Sequence, residues 1–210
     1  MQTLKYIAIH HSGGTLANPL VKSSSLTYGE IDRAHRLRWP DFPSSIFIKG
    51  EPTFVGYNFL IFPNGERVQT RALGEETAAQ YGFNLNTISI CLVGNFAPGV
   101  EMPTKAQIIR LRALLLALIT RDYTGLVVLQ GTAFDLNISR MQPHRFFQPT
   151  ECYGHGLPDT WGRDQGRNAI EERLGILQHI LLLYQQLLAR MKLLPLAGDT
   201  KLCAEVEARG

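Results

Sequence analysis

Cysteine is scarce in this sequence: Cys91, Cys152 and Cys203 are the only three in 210 residues. An odd number at wide spacing argues against a disulfide framework, so each cysteine needs its own explanation. The N-terminus lacks a basic stretch, an apolar stretch and a cleavage site, and it enters strand pattern at about Leu4. That absence predicts synthesis in the cytoplasm with no signal peptide. Charge of one sign is nowhere concentrated. A formal net charge of +3 is mildly basic, but the Lys and Arg residues are scattered, so nucleic acid is not an expected partner. There is no internal repeat, and a hydrophobic content of 45% is ample for one sizeable core.

One apolar run raises a membrane question: AIEERLGILQHILLLYQQLLARMKLLPL, near the end of the chain. A spanning helix needs about 20 residues nearly free of charge. Here Gln178, His179, Gln185, Gln186, Arg190 and Lys192 interrupt the run and recur at roughly seven-residue spacing, forming one polar stripe. No transmembrane segment is expected. Residues 169–192 read as an amphipathic helix that docks on the domain or on a partner helix by self-association, or that lies on a membrane surface. Residues 196–210 read as a flexible tail, with Cys203 inert in it.

Three segments carry helix-start chemistry. Thr27-x-x-Glu30, Thr104-x-x-Gln107 and Asn168-x-x-Glu171 each place a short polar side chain three residues before a carboxylate or amide. Such pairs satisfy two orphan backbone N–H groups reciprocally. The predicted helices stop at Pro40, at Tyr123-Thr124-Gly125 and at about Met191. Between them lie the strand candidates YIAIHH, YNFLIF, ERVQTR, TISICLVG and GLVVLQG. Asn64-Gly65 predicts a hairpin between the second and third, because both residues tolerate the positive φ of a type I′ turn. Strands joined by a hairpin, together with strands separated by helices, imply a mixed central β-sheet flanked by helices. The expected organisation is an α/β (α+β) domain at 1–165, an extra C-terminal helix at 166–195 and the tail.

The chemistry begins with the histidine pair that ends YIAIHH. On a strand, His10 shares a face with Tyr6 and Ala8, and His11 shares the other with Ile7 and Ile9. The two rings therefore face different surroundings. Downstream, QPHRFFQPTECYGHG sets His144 and Cys152 eight residues apart across a loop containing Pro149. Imidazole and thiolate are preferred zinc donors, and a catalytic zinc site uses three protein ligands. His10, His144 and Cys152 would supply that set, although spacing alone does not separate it from unrelated loop residues.

Taken in order, IAIHHSGG, GYNFLIFPNGER, NTISICLVGNF and PHRFFQPTEC resemble the zinc-dependent N-acetylmuramoyl-L-alanine amidases. That family includes the T7 lysozyme-type endolysins and the peptidoglycan recognition proteins, and the resemblance covers roughly residues 5–155. It implies one Zn2+ per chain held by His10, His144 and Cys152, with His11 packing on the other face. Tyr57 matches the tyrosine of the family's Gly-Tyr motif, beside the reacting water. Thr150 falls where the family has Lys or, in the catalytic recognition proteins, Thr. Both are expected to serve catalysis.

The implied reaction is hydrolysis of the amide between N-acetylmuramic acid and L-alanine in peptidoglycan, either in cell wall after release or in recycled wall fragments. Two rivals remain: a non-catalytic muropeptide-binding module, and a zinc peptidase cutting within the stem peptide. The sequence departs from the family pattern at four places. Cys91 stands where another branch has Glu, Ala79 where His is usual, Pro143 where Gly is usual and Tyr153 where Pro is usual. Asn58, Arg71 and Asn84 are candidate contacts to a glycopeptide. His35 reads as a surface or packing residue, and His155 and Glu151 as solvated.

Overall fold

The computed structural model describes residues 2–15, 18–150, 152 and 154–193. Glu151, Tyr153, Cys203 and the tail lie outside them. The central sheet has five strands, β1 (Tyr6–His11), β2 (Phe59–Ile61), β3 (Arg67–Gln69), β4 (Thr87–Leu92) and β5 (Met141–Pro143), in the order β3-β2-β4-β1-β5. Only the β2–β3 pair is antiparallel; β4 runs parallel to β2 and β1, and β5 runs parallel to β1. The sheet is mixed and flanked by helices α1 (Tyr28–Arg38) and α2 (Lys105–Thr120), followed by α3 (Trp161–Leu193).

The register follows from side-chain alternation. Ile7 and Ile9 of β1 join Ile88, Ile90 and Leu92 of β4 in one buried cluster with Leu111, Leu114, Leu115 and Leu118 of α2. Those four leucines recur at the three- and four-residue spacing of one helix face. On the other face of the sheet, Leu60 and Cys91 pack with Val55 and Ile31 of α1. His10 pairs with Cys91 across β1 and β4, so it belongs to this second, less apolar side. Both early capping boxes form as expected, Thr27 with Glu30 and Thr104 with Gln107. Gln107 also donates to the carbonyls of Ile61 and Val93 at 3.0 Å each, tying the start of α2 to the ends of two strands.

Four expectations change. Asn64-Gly65 does make the hairpin, but Gly65 alone has positive φ (84°). Its N–H donates to Phe62 O, and Glu66 N–H donates to Asn64 Oδ1. Pro63 pre-sets the first central residue of an ordinary turn, which a left-handed glycine then closes as a bulge. GLVVLQG forms no strand among the described residues; it makes a single bridge, Leu73 with Val128. Its fellow at the far edge, β5, went unread because it is three residues long and ends in Pro143. Finally, α3 begins at Trp161 rather than at Asn168. Gly162 and Gly166 permit this close packing, since an added Cβ would lie 3.0 Å from Ile9 Cγ1 and 2.6 Å from Met141 Sδ respectively. Tertiary contact here overrides the low helix propensity of glycine.

The chain divides into two compact units, Met1–Ala169 and Ile170 onward. Within the second, the exposed faces of α3 include Leu174, Leu177, Leu181 and Tyr184. No helix among the described residues is long and apolar enough to cross a membrane.

Candidate metal centre

Parallel strands end at one edge of a sheet, and that geometry assembles the site. His10 is the penultimate residue of β1, and His144 directly follows β5, the strand paired to β1 through Ile7–Met141 and Ile9–Pro143. The loop after His144 returns Cys152 to the same edge. The ligand atoms of His10, His144 and Cys152 all lie within 4.8 Å of one another. The two imidazole centroids are 4.5 Å apart, and Cys152 Sγ is 3.6 Å from His10 Nδ1.

The surroundings favour neutral imidazoles. Burial, reinforced by His144 and His11, holds His10 well below the usual histidine range, and burial takes His144 down to about 4. Burial pushes the Cys152 thiol up to about 12, against the opposing pull of the His11 backbone N–H and of Arg145. His144 Nε2 is buried and has no hydrogen-bond partner among the described residues. An orphaned ring nitrogen beside a second imidazole and a sulfur is a donor set that suits a zinc-like ion, which would satisfy what the protein leaves unpaired. The backbone N–H of His11 points at Cys152 Sγ from 3.4 Å, a contact that would steady a thiolate.

His11 itself turns to the other face, as alternation requires. Its Nδ1 accepts from Phe96 N–H at 3.0 Å. The Cys152 loop is held by close backbone packing: Gly154 has φ +79°, and an added Cβ would lie 2.1 Å from Phe96 O. Arg145 fastens the same loop through the carbonyls of Gly154 and Leu157 and an ion pair with Asp159.

Tyr57 stands beside the cluster, its ring centroid 5.0 Å from that of His10. Burial, with Cys91 and Cys152 adding to it, raises its phenol well above the ordinary range, so it stays a neutral donor. Cys91, which stands where another branch of the family has Glu, is thus buried close enough to the Tyr57 phenol to hold it protonated. His35, read from sequence as a packing residue, accepts from Gly56 N–H through Nδ1 at 2.8 Å and lies against the Tyr57 ring. It thereby fixes the bend that aims Tyr57. Thr150 Oγ1 accepts from Cys152 N–H at 3.3 Å.

Two adjoining clefts, of about 690 and 370 Å3, share Arg38, Tyr57 and His144, so one groove passes over the site. Thr150 lines the first part and Asn84 the second. Asn58 and Arg71 do not line either. Asn58 is 1% exposed, donating to Ala72 O and accepting from Ser89 N–H. The Arg71 guanidinium is spent on Val55 O, Phe42 O and Glu75. Both residues brace the wall beneath the groove, because each polar atom they bury is already partnered there.

A family model described as N-acetylmuramoyl-L-alanine amidase matches residues 1–155. Among solved structures, the N-acetylmuramoyl-L-alanine amidase LysC from Clostridium intestinale is 22% identical, covering 74% of this chain and 79% of that one, with a TM-score of 0.51. PGRP-SA of Apis mellifera is 19% identical, covering 73% of this chain and 78% of that one, with a TM-score of 0.52. These likenesses establish a shared fold. No curated protein sequence matches the chain.

Proposed function

Because the chain belongs to the N-acetylmuramoyl-L-alanine amidase family, we propose that it hydrolyses the amide between N-acetylmuramic acid and L-alanine in peptidoglycan or its fragments. The observation that carries the proposal is the convergence of His10, His144 and Cys152 within 4.8 Å, beside Tyr57 and at the bottom of a continuous groove. A non-catalytic binder needs the groove but has no use for three converging donors.

His10, His144 and Cys152 would hold the metal. A zinc ion held there would supply Lewis acidity for the scissile carbonyl and for a water near neutral pH. Tyr57, kept protonated by its burial, donates to the oxygen on which charge develops. Thr150 offers a second neutral donor from the opposite loop. The two parts of the groove give room for glycan on one side of the reacting amide and stem peptide on the other. The first strand-end unit carries all of these groups, so residues 1–165 are proposed as the catalytic domain, with the helix at 166–195 as an attachment to it.

The test is digestion of purified muropeptides followed by mass spectrometry. Free stem peptides with an L-alanine amino terminus are expected. Cleavage within the peptide would reassign the enzyme as a peptidase, and tight binding without products would reassign it as a recognition module.

A further inference from the structure

The two ring nitrogens of His10 meet different neighbours, and one of those neighbours belongs to no motif. Nδ1 faces Cys152 Sγ at 3.6 Å, whereas Nε2 lies 2.7 Å from the side-chain amide of Gln80. His10 is 1% exposed and Gln80 is fully buried, so water does not compete for either contact. Gln80 is also fixed from behind. Its backbone N–H donates to Asn84 Oδ1 at 2.7 Å, and its amide meets Ser89 Oγ, 2.7 Å from the amide nitrogen and 3.0 Å from the amide oxygen. Ser89 Oγ in turn lies 3.4 Å from Thr77 Oγ1.

We infer that Gln80 is a positioning residue that decides which nitrogen of His10 is left free for a metal. A neutral imidazole carries one proton. If the Gln80 amide presents its NH2 to Nε2, the proton sits on Nδ1 and points toward Cys152. When the amide turns over and presents its oxygen, the proton is held on Nε2 and the Nδ1 lone pair faces the His144 and Cys152 donors. Amide orientation and ring tautomer are therefore locked together. The hydroxyls of Ser89 and Thr77 can each donate or accept, so the amide turns over without stranding a buried polar atom. Partners of this kind orient a ligating histidine and raise its affinity for the ion.

The inference rests on the metal reading of the site, and the experiment separates the two. Zinc affinity of the full chain is measured by competition with a chromophoric chelator for the parent, Gln80→Leu and Gln80→Glu. Gln80→Leu removes the partner with little change of volume and is expected to weaken zinc by about 10- to 100-fold. Gln80→Glu can only accept from Nε2–H and is expected to bind zinc at least as tightly as the parent. Nitrogen-15 NMR of the histidine-labelled parent should show the His10 proton on Nε2 once zinc is bound. A parent that binds no zinc overturns the metal reading itself. A parent that binds zinc, with both variants matching it or with Gln80→Glu weakened as far as Gln80→Leu, overturns the role of Gln80. If Gln80→Leu does not fold, Gln80→Glu and the NMR signature decide the matter by the same criteria.

Discussion

Acid should destabilise the metal-free protein progressively between about pH 6.5 and 4. His11 and His35 are each drawn down to about 4, first by burial and then by neighbouring arginines, Arg145 for His11 and Arg38 for His35; His144 is drawn down to about 4 by burial. For two of them a second reason is visible. The Nδ1 atoms of His11 and His35 accept backbone N–H groups of Phe96 and Gly56, and a proton on either nitrogen would set two donors face to face. In the unfolded chain all three titrate near the ordinary 6.5. As pH falls from 6.5 toward 4, the unfolded state takes up protons that the folded state refuses, so stability present above 6.5 is progressively lost across that window.

Each of these three then removes up to about 3 kcal/mol, about 10 together, and His10, held lower still by its burial, adds to the loss. That is comparable to the whole stability of an ordinary domain, about 5–15 kcal/mol. Urea denaturation with a chelator present, at intervals from pH 7.5 to 4, reads the effect directly. His10, held lower still, also stays neutral in the fold, so the slope near pH 5 should approach the uptake of four protons on unfolding. His35→Asn keeps an acceptor for Gly56 N–H without titrating, and it should lower the slope by about one proton. A slope below one proton, or one that His35→Asn leaves unchanged, would refute the reasoning. Zinc loading, which requires His10 and His144 to stay neutral, should move the unfolding transition to lower pH.

Replacing His10, His144 or Cys152 by Ala should remove near-stoichiometric zinc in metal analysis, whereas His11→Asn, which preserves the acceptor for Phe96 N–H, should retain it. Tyr57→Phe and Thr150→Val should lower kcat and kcat/KM together by about 10²–10³ while zinc stays bound, as expected for donors that act on developing charge; parent rates on muropeptide would exclude both roles. Zinc binding at pH 7 should release at least one proton, from the Cys152 thiol and in part from water on the metal but not from the histidines, which are already neutral; calorimetry in buffers of different ionisation enthalpy measures it. Gly154→Ala should weaken zinc and lower Tm, since its Cβ would press on Phe96 O, while Gly50→Ala, at a similar φ with nothing within 4 Å, should cost stability without touching metal affinity.

The legible parts of the fold were those whose cause is local. Thr27 with Glu30 and Thr104 with Gln107 close their boxes within one helical turn, so neither needs the rest of the molecule. The start of α3 is different in kind. Residues 161–169 contain two glycines, and they are helical because Ile9 and Met141 leave no room for side chains at Gly162 and Gly166. Nothing within that segment reports this. Strand β5 is similarly hidden: Met141–Pro143 is ordered by pairing with Ile7–Ile9, some 134 positions away in the chain.

The same division runs through the site. His10, His144 and Cys152 could be picked out because their order and surrounding words repeat a family pattern, and alternation along β1 gave His10 rather than His11 the facing side. Asn58 and Arg71 were polar, near the motifs and plausible, yet both are consumed in holding the wall. Proximity in sequence does not say whether a polar side chain has already found its partners. The converse error hid Gln80, His35 and Cys91, whose contacts lie 70, 21 and 34 positions away, at His10, Gly56 and Tyr57. Each stands against a residue of the candidate site without carrying a motif itself. A candidate metal centre built on strand ends therefore shows its donor residues in the sequence, while the groups packed behind those donors emerge only when the parallel strands bring distant segments to one edge.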